Sequence, residues 1–449
     1  MAYIDKTYKA LLETCSVSKP KRFFKNGYGD LNQMMKFREV MLSEIAGGTK
    51  PHPIDVVWEN KEEPGHCICC CTYACCYQSD VLVRKGHFIS PSAAFLPEEA
   101  KKVYFRFYRP ANTKIVSRLV LLFPATGDQF YWYRAAAAHK LAKAGIASIA
   151  MTFPFYGKRR PKYQTEHYIT TVQDFMASLM ASSSEAGSMC RWAAQRYPGV
   201  RICLSGISMG GTMSITGAIQ AQMPVCVCPC VATPNANSFV HGVLRHSIDW
   251  DALIEPKPLG YETDKLVRAE ARRKESDKLE KILGLASVPT MLEAAQQHRS
   301  GFTKFNAVVQ VIAQGDEFVL RDEGAHLAET LRSMTVVHKV VYFDGGHLSF
   351  AVLNRGALYT PSIIDTFALA DKSESGAHGA HGACPYGSMS SYSPAAPPGV
   401  ESIERPPSRM PERTASGGSA KNNKSEEEQS ILDKLESKKK TVDLWWGDQ

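Results

Sequence analysis

From Arg118 to Ala370 the chain alternates short apolar runs with longer stretches whose apolar positions recur at helical spacing. Residues 119–123 are nearly all apolar, as expected of a parallel strand covered on both faces. A helix is predicted over about 134–144, ended by Gly145, and a strand over 146–152 follows. A long helix over 171–196 is closed by Tyr197-Pro198-Gly199. A strand from Val200, a helix over 211–222 and a strand over 225–231 come next. Residues 234–304 are charged and helical, without a strand pattern. The apolar runs resume at 307–312 and 337–343, separated by a helix over about 323–332 and closed by one over 347–370. Strand and helix in alternation imply an α/β fold, a mostly parallel central sheet with helices on both faces. The stretch 234–304 is too long for a connection and is best taken as a helical cap.

Ahead of this region, residues 1–50 look helical and amphipathic, with Phe23, Phe24, Tyr28, Leu31 and Met35 available to pack. Gly86 to Pro91 and Lys102 to Tyr108 look like two short strands. The second alternates Val103, Phe105 and Phe107 with Lys102, Tyr104 and Arg106, so one face is buried. The expected division is an N-terminal extension over 1–85, a body over 86–371 and a tail over 372–449. The tail is rich in Ser, Gly, Pro and Ala over 373–425 and is expected to be disordered, as is 425–446, with a short helix there, near Trp445-Trp446, as the alternative.

Composition narrows the class. The chain has 449 residues, 44% of them hydrophobic, enough for a sizeable core. No stretch approaches eighteen uninterrupted apolar residues, so no transmembrane helix is expected, and the N-terminus lacks the apolar core of a secretory signal. Lys6, Lys9, Lys19 and Lys21 against Asp5 and Glu13 leave a mitochondrial transit peptide open, so the location is read as intracellular, cytoplasmic or mitochondrial. The net charge is +8, and the tail is nearly neutral, so the excess lies in the body. That suits an anionic lipid surface or a phosphorylated substrate as well as an ordinary solvated surface. No nucleic-acid module is present. Lys257, Lys265, Arg268, Arg272, Arg273 and Lys274 in the cap read first as a solvated helix face, second as a contact to anionic headgroups.

The thirteen cysteines are an odd number in a chain without a secretion signal, which favours free thiols. Six of them lie between Cys67 and Cys76. Zinc binding, S-acylation and an insertion without fixed chemistry all fit that cluster, the last as the default.

The candidate chemistry centres on Gly206-Ile207-Ser208-Met209-Gly210, between the strand from Val200 and the following helix. A serine between glycines there can sit on a tight strand-to-helix turn with its hydroxyl projecting above the sheet. A serine hydroxyl is a weak nucleophile and needs a base, an acid to orient the base, and donors for the oxyanion. In the α/β-hydrolase arrangement these follow in the order Ser, acid, His. Asp316 lies just past the 307–312 strand and His347 follows the last strand through Gly345-Gly346. The triad is therefore read as Ser208, Asp316 and His347, with Glu317 and Asp322 as substitutes for the acid. The oxyanion donors are read as the N–H groups of Met209 and of Thr126, with Ala125 second, in the loop Pro124-Ala125-Thr126-Gly127-Asp128. No metal or organic cofactor is required. Helix capping by Ser208 or His347, and a simple turn at Asp316, are the plain alternatives.

The motif set Gly86-His87-Phe88-Ile89-Ser90-Pro91, Ala125-Thr126-Gly127-Asp128 with Tyr131-Trp132, Pro154-Phe155-Tyr156-Gly157-Lys158-Arg159-Arg160-Pro161, Gly206-Ile207-Ser208-Met209-Gly210-Gly211, Ser247-Ile248-Asp249-Trp250 and Gly345-Gly346-His347 resembles the alpha/beta hydrolase domain-containing protein 18 family across about 20–370. The resemblance implies an α/β-hydrolase fold and a serine lipase or deacylase acting on membrane phospholipids, with a mitochondrial setting and peripheral membrane contact. The substrate is then a lipid or other acyl ester. A thioesterase or peptidase with the same triad, or an inactive scaffold, remains the alternative. The cysteine-rich segment, the tail and Pro124 depart from the pattern.

Overall fold

The computed structural model describes residues 5, 22–48, 52–66, 77–165, 168–298 and 300–379. Residues 1–375 form one unit, and of the second, 376–449, only the end of a helix is described. The cysteine-rich segment, most of the helix expected before Arg22 and the alternative helix at 425–446 lie outside the described residues.

The described strands are β1 (Val57–Trp58), β2 (Glu63–His66), β3 (Tyr77–Ile89), β4 (Lys102–Pro110), β5 (Arg118–Phe123), β6 (Ala147–Met151), β7 (Arg201–Ile207), β8 (Cys226–Cys230), β9 (Phe305–Ala313) and β10 (Thr335–Phe343). They form one sheet in the order β1-β3-β4-β6-β5-β7-β8-β9-β10, with β2 on β3. From β6 to β10 every pairing is parallel, and β4 joins β6 antiparallel. The apolar runs explain the order: β6 and β8 are buried along their whole length and take inner positions, whereas β10 alternates exposed and covered residues and forms an edge.

The helices are α1 (Leu31–Ile45), α2 (Trp132–Lys143), α3 (Val172–Arg196), α4 (Met209–Ala221), α5 (Lys265–Gly284), α6 (Val288–Gln296), α7 (Arg321–Met334) and α8 (Thr360–Gly379), the last preceded by a ten-residue π-helical run, Phe350–Tyr359. Thr171 caps α3, its hydroxyl accepting from Asp174 N–H, and Asp30 caps α1. α3 is buried on nearly all sides because it packs on α4 and α1 as well as the sheet. Within 234–304 the described residues are helical or looped, with no strand. No described helix is long and apolar enough to cross a membrane.

Two expectations shift. The strand expected at 86–91 is far longer, β3, and pairs residue for residue with β4 from Val81 opposite Pro110 to Ile89 opposite Lys102. Arg84-Lys85-Gly86 breaks its apolar pattern, yet β3 is paired on both sides, by β4 and by β1 and β2: Arg84 lies over the Trp58 ring at 4.4 Å, and a Cβ on Gly86 would stand 2.6 Å from the Phe105 ring. The 85/86 division therefore falls inside a continuous strand. The N-terminal residues also join the body: Phe23 and Phe24 are buried, Phe23 bridges to Ile248 and both rings pack on Phe239.

Arg159 and Glu185, both fully buried, form a bidentate pair at 2.8 and 2.6 Å. Arg159 also donates to the carbonyls of Ala100 and Thr152, so the loop after β6 is pinned to α3.

Candidate active site

β7 ends at Ile207 and α4 begins at Met209, leaving Ser208 alone in the turn. Its backbone is left-handed, φ 59° and ψ −125°, a sparsely populated conformation costing on the order of 1–3 kcal/mol. Neighbouring strands over-determine it. Ser208 N–H donates to Cys230 O at 2.9 Å, and Ser208 O accepts from Gly211 and Thr212 N–H at 2.8 and 3.1 Å. The motif glycines make room for backbone. A Cβ on Gly206 would lie 2.4 Å from the Gly210 carbonyl, and one on Gly210 would lie 2.7 Å from Pro124 O. The start of α4 is thereby pressed against the loop after β5.

That loop is held from below by two tyrosines. Ala125 N–H donates to Tyr133 Oη at 2.8 Å, and Gly127 N–H donates to Tyr156 Oη at 3.2 Å. Asp128 pairs with buried Arg134 at 2.8 Å. Between the two engaged amides, Thr126 N–H meets no acceptor among the described residues, and neither does Met209 N–H. Thr126, Ser208 and Met209 line one cavity of about 40 Å³, whose other walls include Phe175, Met213 and Leu283. The geometry so separates Thr126 from Ala125, whose N–H is already spent.

The loops after β9 and β10 are joined by backbone. Gln314 N–H donates to Phe343 O and Gly315 N–H to Gly345 O, both at 2.9 Å. Asp316 Oδ1 accepts from Phe318 and Val319 N–H, each at 2.8 Å, which aims Oδ2 at His347 Nδ1, 2.8 Å away. The Phe318 ring stacks on the imidazole at 4.9 Å. Glu317 turns elsewhere, giving its N–H to Asp5 and its carbonyl to Val243 N–H, and Asp322 sits in the first turn of α7. Both Asp316 and His347 are buried. Burial by itself lowers the His347 pKa, but the charge and hydrogen bond of Asp316, with the charge of Asp5, leave it raised above 6.5. Asp316 and His347 are thus brought together. Among the described residues no hydrogen bond joins Ser208 Oγ to His347, and the cavity at Ser208 reaches the acid loop through Val319.

One side chain was not foreseen. Asp5 lies behind His347, fully buried, and its carboxylate accepts from the N–H groups of His347 at 2.6 Å, Leu348 at 3.0 Å and Glu317 at 3.3 Å. No local pattern announces a contact across 342 residues.

A serine on a strand-to-helix elbow after β7, with an Asp–His pair on the loops after β9 and β10 of a mostly parallel sheet, defines an α/β hydrolase. The family model for alpha/beta hydrolase domain containing 18 matches residues 21–369, and the chain belongs to that family. Among solved structures it is similar to a cold-adapted esterase from an Arctic intertidal metagenomic library, at 14% identity and TM-score 0.39, covering 69% of this chain and 99% of that one. It is also similar to acetyl xylan esterase 1 from Thermoanaerobacterium sp. JW/SL YS485, at 12% identity and TM-score 0.40, covering 73% of this chain and 91% of that one.

Among the described residues the cysteines Cys190, Cys203, Cys226, Cys228 and Cys230 are free and buried, and burial pushes the Cys190 and Cys226 thiols up to about 12. They are core side chains and inert as nucleophiles. No described cluster could hold a metal ion.

Proposed function

We propose that the protein is a serine ester hydrolase that cleaves carboxylic acyl esters, with phospholipid deacylation as its natural reaction. Ser208 attacks the acyl carbonyl, and His347 takes the hydroxyl proton and returns it to the leaving alcohol. Asp316 fixes the imidazole tautomer with its proton on Nδ1, leaving Nε2 as the base. Met209 and Thr126 N–H groups receive the oxyanion, and water then cleaves the acyl-enzyme. The observation that supports this reading most is the left-handed Ser208 placed in one cavity with those two unengaged N–H groups. The Ser208–His347 hydrogen bond forms when substrate binds, as catalytic hydrogen bonds tighten in the Michaelis complex.

The apolar walls suit an acyl chain, but a cavity of about 40 Å³ is small for a long one. A lipid chain therefore requires residues 234–304 to shift as a cap. Of the basic groups of that stretch, Lys257, Arg268, Arg272, Arg273 and Lys274 have carboxylates within 4.0 Å, so their charge is partly met within the protein.

Labelling with a fluorophosphonate probe tests the reading. The wild-type protein is expected to label and to hydrolyse p-nitrophenyl esters, and Ser208→Ala to lose labelling and about a thousandfold or more in kcat. Turnover by Ser208→Ala near the wild-type rate would overturn it. Parallel ester and thioester series of equal acyl length separate an esterase from a thioesterase.

A further inference from the structure

We propose that Asp5 is a positioning residue for His347, a second carboxylate that holds the imidazole-bearing backbone through its N–H groups. The inference rests on the triad reading above and adds to it a residue from the N-terminal segment.

The placement is specific. Among the described residues the three groups bonded to the Asp5 carboxylate are N–H donors: Oδ2 accepts from His347 and Glu317, Oδ1 from Leu348. A carboxylate is the one common side chain that can accept all three without offering a donor of its own. Gly346 makes the approach feasible, because a Cβ there would stand 2.5 Å from Asp5 Cγ. So the paired glycines before His347 serve two ends: they turn the chain and leave a slot for this acid. His347 begins the closing helix, where unpaired N–H groups favour negative charge. Through Glu317 N–H the same carboxylate also touches the loop that carries Asp316. Asp5 is thereby bonded to both loops that supply the Asp–His pair, and fixes their separation.

Charge follows the geometry. Among the described residues the groups facing His347 are Asp316 and Asp5, and those facing Asp5 are His347 and Asp316. Burial raises the Asp5 pKa, partly offset by the Leu348 N–H and the charge of His347. Asp5 makes the imidazolium easier to form, so its removal should lower the pH at which His347 loses its proton.

The test measures kcat, KM and the pH profile of kcat/KM on p-nitrophenyl butyrate for Asp5→Ala and the isosteric Asp5→Asn, normalised to active sites titrated with fluorophosphonate. Both variants are expected to show the acidic limb moved to lower pH. Asp5→Ala should lose about tenfold in kcat with KM little changed, since a base held loosely is misaligned. Asp5→Asn keeps the volume and one acceptor but sets its NH2 against an N–H group, so it should lose about as much, and Asp5→Glu should recover the wild-type limb in part. A purely structural role would lower Tm and the titrated fraction while leaving the limb of the surviving sites in place. An unmoved limb in Asp5→Asn therefore overturns the proposal. Ser208→Ala is run alongside: if it stays active, the triad reading fails, and if it is dead while Asp5→Asn behaves as wild type, only the role of Asp5 fails.

Discussion

At the scale of single residues, His347 sets the pH dependence. Its pKa is raised above 6.5, so the imidazole stays protonated to higher pH than a free histidine. A protonated ring cannot accept the Ser208 proton, and activity must rise as pH climbs through the raised value. We expect the acidic limb of kcat/KM above pH 6.5, read from initial rates across a buffer series. Asp316→Asn removes the largest favourable charge, should move that limb down, and should cost about ten-thousandfold in kcat through the wrong tautomer. Gly206 offers a sharper steric test. A methyl there meets the Gly210 backbone at 2.4 Å, so Gly206→Ala should abolish probe labelling and lower stability by about 1–3 kcal/mol, measured by urea denaturation. The turn at Ser208 and the bonded pair of Asp316 and His347 were legible because each of these residues follows an apolar run that ends at a turn. Thr126 was legible only as one of two amides in a small-residue loop, since nothing in the sequence says that Tyr133 and Tyr156 occupy its neighbours. Asp5 was not legible at all: a lone acid in a lysine-bearing N-terminus looks like surface.

At the scale of elements, the buried pair between Arg159 and Glu185 connects the loop after β6 to α3. Removing one partner leaves the other charged and desolvated. Glu185→Ala should destabilise by about 3–5 kcal/mol, and a smaller loss than about 1 kcal/mol in chemical denaturation would contradict the pairing. Most elements were readable because helices and covered strands keep their periods: β4, β5, α3 and α4 all lie within a few residues of expectation. β3 was read short for a physical reason. A strand needs an apolar face only where something covers it, and Arg84 and Lys85 near the middle of β3 interrupt the alternation, although β3 is paired with β4 and with β1 and β2. The π-helical run after His347 was read as ordinary helix, because a one-residue widening of the turn leaves an apolar sequence unchanged.

At the scale of the whole molecule, the sheet order places the elbow after β7, one strand away from the joined loops of β9 and β10. The cavity at the elbow, which reaches the loop after β9 only at Val319, is small and has apolar side chains from α3, α4 and α5 among its walls. In buffer without lipid, short esters should therefore react faster than long ones. We expect kcat/KM on p-nitrophenyl acetate to exceed that on the palmitate by about tenfold or more, because a full acyl chain needs a pocket of roughly 300 Å³ or larger. Adding phospholipid vesicles should narrow that gap if residues 234–304 shift at a membrane, and an unchanged ratio would count against a moving cap.

The two backbone rungs from Gln314 to Phe343 and from Gly315 to Gly345 have a consequence for how this chain can diversify. Acid and imidazole are tied to one another by these rungs, and the chain between β8 and β9 meets the acid loop through the Val243 N–H on the Glu317 carbonyl. The length and side chains of that stretch can drift to suit new alcohols or acids while the proton relay stays intact. Exchanging 234–304 between two such proteins should transplant selectivity and leave reactivity toward a small organophosphorus probe where it was.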